Sequence, residues 1–271
     1  MMPLLPATLK RMTEELVTEE RATEPTAPPL TEQSTLTALT ALTALSPTSR
    51  TRLGRRRERA ATDRAALYDI LDEALVCHLG LVLDGTPVVL PTAYGRDGDT
   101  LYLHGSTGAR SLRAAGGTDP AEVCVTVTLL DGIVYARSVN AHSMNYRSAV
   151  IYGRSRVVTG RTEKLHGLRV LTDHLAPGSW EHARDVNAKE LAAVTVLALD
   201  LAEASVKARA GAAGDEPEDI AAGTAWAGVL PVRTAFGDPV PNPDLPEGMP
   251  VPAHVTGRAQ RGTGPSSGSS A

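Results

Sequence analysis

Two apolar runs, "VCHLGLVL" (Val76–Leu83) and "PVVLPTAY" (Pro87–Tyr94), are separated by Asp84-Gly85. An Asp-Gly pair accepts the backbone angles of a tight hairpin turn, so the two runs are expected to pair antiparallel. The pattern then continues. "GRDGDT" (Gly95–Thr100) turns the chain into "LYLHG" (Leu101–Gly105), and a short helical piece leads to "AEVCVTVTLL" (Ala121–Leu130) and "YRSAVIYGRSRVV" (Tyr146–Val158). A helix is expected over "RTEKLHGLRVLTDHL" (Arg161–Leu175), and "LAAVTVLALDLA" (Leu191–Ala202) with "ASVKARA" (Ala204–Ala210) closes the set. Ahead of the strands, "TDRAALYDILDEAL" (Thr62–Leu75) has Thr62 or Asp63 as N-cap and Leu67, Ile70, Leu71, Ala74 and Leu75 on one face of a helix. Hairpin-linked strands with helices only at the margins predict a mainly β fold, a small barrel with flanking helices. Neither G-x-G-x-x-G nor G-x-x-x-x-G-K-[ST] occurs, which argues against a parallel nucleotide-binding sheet.

The barrel does not occupy the whole chain of 271 residues. Residues 1–51 are rich in Thr, Pro and Glu and carry the repeat "TALTALTAL" (Thr37–Leu45), whose period of three drifts around a helix. That segment reads as disordered, and so does the Pro- and Gly/Ser-rich tail 241–271, leaving one domain over 52–240. Aromatic residues make up 3% of the chain, with a single Phe, so the core must be built from Leu, Val and Ala. A net charge of -4 argues against nucleic-acid binding, and the basic stretch "RTRLGRRRER" (Arg50–Arg59) reads as a solvated arm. The two cysteines, Cys77 and Cys124, lie in apolar runs without metal or redox spacing and read as buried thiols. No secretory or membrane-spanning segment is apparent, so a reducing cytoplasm is expected.

The densest functional signal is "LYLHGSTGARSLR" (Leu101–Arg113), a strand that ends in small and hydroxyl residues and then meets two arginines. Ser106 and Thr107 offer hydroxyls, Gly105 and Gly108 let the backbone come close, and Arg110 and Arg113 fall on one side of the helix that follows. A phosphate would suit this group, because it needs several donors and a fixed cation to replace its water. A plain turn before a solvated helix is the competing reading. His166, His174 and His182 recur every eight residues but cannot share a helix face, and they read as surface histidines rather than metal ligands.

The segments "VCHLGLVLDGTPVVLPTAYGRDGDTLYLHGSTGARSLR" and "NAHSMNYRSAVIYGRSRVV" resemble the pyridoxamine 5'-phosphate oxidase-like flavoproteins, in particular the branch containing the nitroimidazole-resistance reductases. The resemblance implies a split β-barrel homodimer with FMN in each cleft between subunits. It assigns Leu90, Pro91, Thr92 and Ala93 to the isoalloxazine, His104 and Gly105 to the ring and ribityl chain, and Arg110 and Ser111 to the phosphate. The second cation of the family pair is a serine here, and Arg113 is expected to replace it. Arg147 and Ser148 match a segment contributing flavin contacts, with Arg147 as the cation raising the flavin potential, and Trp226 matches a late aromatic over the flavin edge. No C-terminal Arg-His pair is found to grip pyridoxal phosphate.

The resemblance implies an FMN-dependent oxidoreductase acting on a small electron-accepting compound, nitroreductase-like, with His104 as the catalytic candidate and His142 as a second. A flavin-storage protein, or a haem binder using His104 or His142 as axial ligand, is the alternative.

Overall fold

The computed structural model describes residues 44–261, apart from 46 and 118. Helix α1 (Arg64–Glu73) starts where Asp63 accepts the Ala65 N–H at 2.9 Å, the second of the two expected caps. Leu67, Ile70 and Leu71 on its inner face are buried. Its last carbonyls need outside donors. The Tyr94 hydroxyl lies 2.7 Å from Leu71 O and 2.9 Å from Ala74 O and shares its proton between them, while His174 Nε2–H donates to Ala74 O at 2.7 Å.

Strands β1 (Ala60–Ala61), β2 (Val76–Leu83), β3 (Thr86–Asp97), β4 (Thr100–Ser106), β5 (Glu122–Tyr135), β6 (Ser143–Arg154), β7 (Arg156–Val157), β8 (Val194–Asp200), β9 (Ala204–Arg209) and β10 (Gly228–Pro231) form one antiparallel system. The order is β1-β9-β6-β5-β2-β3-β4-β8-β7, with β10 added beside β5. The β2–β3 hairpin turns at Asp84 (φ 50°) and Gly85 (φ 76°), the pair of positive angles that an Asp-Gly turn supplies. At Ser155 the chain leaves β6, which pairs with β5 and β9, and enters β7, which pairs with β8. That bend closes the barrel, and the buried Ser155 hydroxyl donates to Ala115 O at 2.7 Å.

Leucines and valines fill the interior, including Leu67, Leu79, Leu101, Leu103, Val125, Leu197 and Leu199, with Ile151 and Tyr94 among them. Each such side chain contributes about 1.5–3 kcal/mol by leaving water. The single phenylalanine, Phe236, lies outside this core. Cys77 is buried and its thiol is pushed up to about 12, so it is inert, whereas Cys124 is only half-buried.

Helix α2 (Arg110–Gly116) follows β4, and α3 (Arg161–Leu175) spans the residues expected of it. Helix α3 lies so close to β3 that a Cβ on Gly95 would sit 2.7 Å from the carbonyl oxygen of Val170. Short helices α4 (Ser179–His182), α5 (Ala188–Ala193) and α6 (Pro217–Ala222) join the later elements. Leu191–Ala193, expected as strand, are helical because Asn187 and Glu190 form a reciprocal cap that starts α5.

Helix α7 (Ala253–Arg261) lies inside the tail expected to be loose, with residues 262–271 outside the described part. At the other end Leu45 and Thr51 are buried and Arg50 pairs with Glu122 and Glu203, so residues 47–51 belong to the fold. The expected disorder of 1–43, and the "TALTALTAL" repeat up to Thr43, concern residues outside the described part, while Ala44 bridges to Asp63. Among the described residues, no helix is long and apolar enough to cross a membrane.

Candidate functional site

Strands β3 and β4 pair only from Tyr94↔Leu103 to Asp97↔Thr100. Beyond Tyr94, residues 86–93 of β3 stay with β2, while His104–Ser106 of β4 stay with β8. The two strands therefore part, and Leu90–Ala93 and His104–Ser106 stand on opposite sides of the opening. Helix α2 closes its base through the buried Leu112 and Ala115. A Cβ on Gly105 would lie 2.5 Å from Leu112 Cδ1, so glycine is what lets the helix approach.

The expected quartet on β3 divides between two faces. Leu90 and Thr92 pair with Leu79 and Cys77, which point inward, whereas Pro91 and Ala93 pair with the exposed His78 and Val76. Side chains of the quartet cannot all line one surface.

The loop from Ser106 to Ala109 is a tight turn. Ala109 N–H donates to Ser106 O at 2.9 Å, Gly108 N–H to Ser106 Oγ at 3.2 Å, and Thr107 N–H to Ala193 O at 3.1 Å. No side chain caps α2, and a Cβ on Gly108 would meet only Ser106 Oγ, at 3.5 Å. The surface above this turn is open. Arg110, expected as the leading cation, is instead paired with Asp84 of the β2–β3 turn, and both are largely exposed. Arg113 is exposed and, among the described residues, forms no ion pair, while Ser111 is half-buried. Reading Asp84 only as a turn residue had hidden this pairing.

Arg147 is a clearer departure. Its guanidinium binds Glu73 at 2.6 and 2.8 Å and Asp131 at 2.8 and 3.1 Å. These hydrogen bonds, first to Glu73 and then to Asp131, hold it far above its ordinary value, and its field is offset by two carboxylates. It is not the free cation that would raise a flavin potential. Arg147→Ala is expected to lower the melting temperature by leaving Glu73 and Asp131 facing each other, and Glu73→Gln in that background should restore part of the loss. Additive effects in a thermal double-mutant cycle would contradict this coupling.

Ser148 points the other way, its hydroxyl donating to Lys207 O at 3.2 Å. Strand β6 is separated from β3 by β5 and β2, roughly 14 Å away at ordinary strand spacing. Within one chain, Arg147 and Ser148 do not join the opening. Nor does Trp226, whose ring is 71% exposed and lies 5.9 Å from that of Tyr135 and against Gly228. His142 is in the same neighbourhood, 5.9 Å from Tyr135, and its Nδ1 accepts the Ala136 N–H at 2.9 Å.

Of the three histidines read as surface residues, His166 and His182 are exposed and His174 departs from that reading. His166 pairs with Asp97 at 2.8 Å, but His174 is half-buried, 4.9 Å from the Tyr94 ring, and burial lowers its pKa below the ordinary 6.5. His104 reaches solvent on one side, yet burial of the rest lowers its pKa in the same direction. A histidine held neutral by folding favours the unfolded chain once protonated, so its contribution is present above about pH 6.5 and is lost as pH falls below it. Thermal stability is therefore expected to decline from neutral pH toward about pH 5, and His174→Gln should flatten that slope. An unchanged slope would contradict the assignment.

The family model described as pyridoxamine 5'-phosphate oxidase matches residues 63–208, which contain the opening and both of its walls. The chain belongs to the pyridoxamine 5'-phosphate oxidase-like family. Among solved structures, the flavocytochrome Anf3 of Azotobacter vinelandii is similar at 38% identity, covering 79% of this chain and 98% of that one, with a TM-score of 0.73. The FAD and haem binding protein of Mycobacterium smegmatis is similar at 41% identity, covering 74% of this chain and 97% of that one, with a TM-score of 0.70. Among curated proteins none matches by sequence. The likeness to both structures extends past the segment matched by the family model. Their coverage takes in part of the chain outside 63–208, beyond the core that the family model describes.

Proposed function

We propose that this member of the oxidase-like family is a homodimeric flavin- and haem-binding oxidoreductase, a flavocytochrome. The observation that carries the reading is the likeness, at 38% and 41% identity over nearly the whole length of both relatives, to two proteins named for flavin with haem. The flavin is FAD rather than the FMN implied by the resemblance. What supports FAD is that one of the two similar proteins is named for FAD together with haem.

The residues of the opening fit such a group. The loop Ser106–Ala109 leaves its outer surface unfilled, α2 lacks a side-chain cap, and Arg113 has no competing carboxylate among the described residues. Thr107, Ser111 and Arg113 would bind phosphate, and the unpaired edge of β3 at Leu90–Ala93 would orient the ring. His104, which stands at the opening at the end of β4, would be the residue to hold haem iron, and partial burial of its ring biases the imidazole toward the neutral form. His142 does not fit while its Nδ1 holds the Ala136 N–H, because Nε2 then carries the proton. When bound, flavin exchanges electron pairs and haem iron single electrons, so the two together convert one into the other. A small electron-poor compound is the proposed acceptor.

A second copy is part of the reading. Val76, Val82 and Val89 are 49%, 57% and 64% exposed on the outer face of β2 and β3. A partner covering that face would bring its own Arg147, Ser148 and Trp226 toward the opening. The purified protein is expected to show flavin bands and a Soret band, to release FAD on heating as judged by mass, and to sediment as a dimer. Protein that stays colourless and takes up neither group when offered would overturn the reading.

A further inference from the structure

Helix α7 packs across the junction of α3 and α4, and between them lies a cavity of about 260 Å³. Its walls are mainly apolar, from Leu175, Pro177, Phe236, Pro239, Val255 and Ala259, and no carboxylate among the described residues lines it. One cation does. Arg258 Nη1 is buried with no hydrogen-bond partner among the described residues, and the guanidinium lies 4.7 Å over the Phe236 ring. A buried guanidinium N–H left unsatisfied is costly, and the ring face repays only part of that. The docking of α7 is itself specific. Gly178 at φ 83° receives the His254 ring so closely that a Cβ there would lie 2.8 Å from His254 Cβ.

From this geometry we propose that the cavity binds a small organic carboxylate with an apolar, aromatic body: the carboxylate meets Arg258 and the body lies among Phe236, Pro239 and Val255. The volume is below that of ordinary drug-sized sites, which limits the ligand to one or two rings. None of the cavity residues belongs to the opening between β3 and β4, so this site does not rest on the flavin and haem reading.

The test uses the full chain as purified, with 2-naphthoate as probe and 2-naphthalenemethanol as its uncharged counterpart, titrated calorimetrically. Naphthoate is expected to bind more tightly than the alcohol, and Arg258→Gln to weaken naphthoate roughly tenfold or more while leaving the alcohol unchanged. Ala259→Phe, which fills the cavity without touching the charge, should abolish binding of both and guards against misfolding of the arginine variant. Equal affinity for the two probes, unaltered naphthoate binding in either variant, or no binding at all would overturn the proposal. Loss of haem from the Arg258→Gln protein with naphthoate affinity intact would overturn it too, by making Arg258 a partner of a haem propionate.

Discussion

Alanine in place of Arg113 is expected to weaken retention of the flavin nucleotide roughly tenfold to a hundredfold, while affinity for unphosphorylated riboflavin holds. The reason is local charge. Arg110 already has Asp84, an exposed pair in which neither side chain is free for a ligand, whereas Arg113 has no such competitor among the described residues. Arg110→Ala should therefore do less than Arg113→Ala, and Asp84→Asn should tighten retention by releasing Arg110. Fluorescence titration of the apoprotein with FAD, FMN and riboflavin distinguishes these cases. Equal losses for nucleotide and riboflavin, or a larger effect from Arg110, would mean that the phosphate sits elsewhere.

Gly95→Ala is expected to have the largest effect on stability of any methyl-sized change in the barrel. The added carbon would meet Val170 O at 2.7 Å and Leu171 Cα at 2.9 Å, both main-chain atoms of α3 that cannot rotate aside. The helix must move off the sheet, which should cost about 2–3 kcal/mol and lower the melting temperature by roughly 5–10 °C. It would also pull His174 from Ala74 O and so uncap α1. Gly54→Ala, where nothing lies within 4 Å, is the matched control and should leave the melting temperature unchanged. A Gly95→Ala protein as stable as the control would show that α3 is not held as described.

Much of the barrel could be read from local signals. The Asp84-Gly85 turn, the cap at Asp63 and the helix over Arg161–Leu175 each depend on residues adjacent in the chain, and each stands where it was expected. What could not be read depends on pairs far apart. Arg147 looked available because Asp131 meets it only once β5 pairs with β6, and Glu73 only once α1 packs against the sheet. Arg110 looked available for the same reason, its partner being 26 residues earlier in the chain. Helix α7 was hidden by composition: its polar, Gly-containing sequence "AHVTGRAQR" follows a Pro-rich stretch, and its packing against Phe236 and Gly178 comes from tertiary contact rather than propensity. The alternation of β3 was legible in principle, since residues two apart share a face, and counting it would have separated Pro91 and Ala93 from Leu90 and Thr92.

The parting of β3 from β4 has a further consequence for how this chain behaves among copies of itself. A strand flank without a neighbour is an invitation to any extended segment, and unguarded flanks of this length drive aggregation. Pro87 and Pro91 lie within that flank, and proline in a strand is tolerated where its nitrogen faces no partner. Two missing donors spoil the ladder that a foreign strand would need, yet a planar heterocycle needs only a few contacts between them. The same pair of residues thus keeps the gap from being zipped shut and leaves it usable.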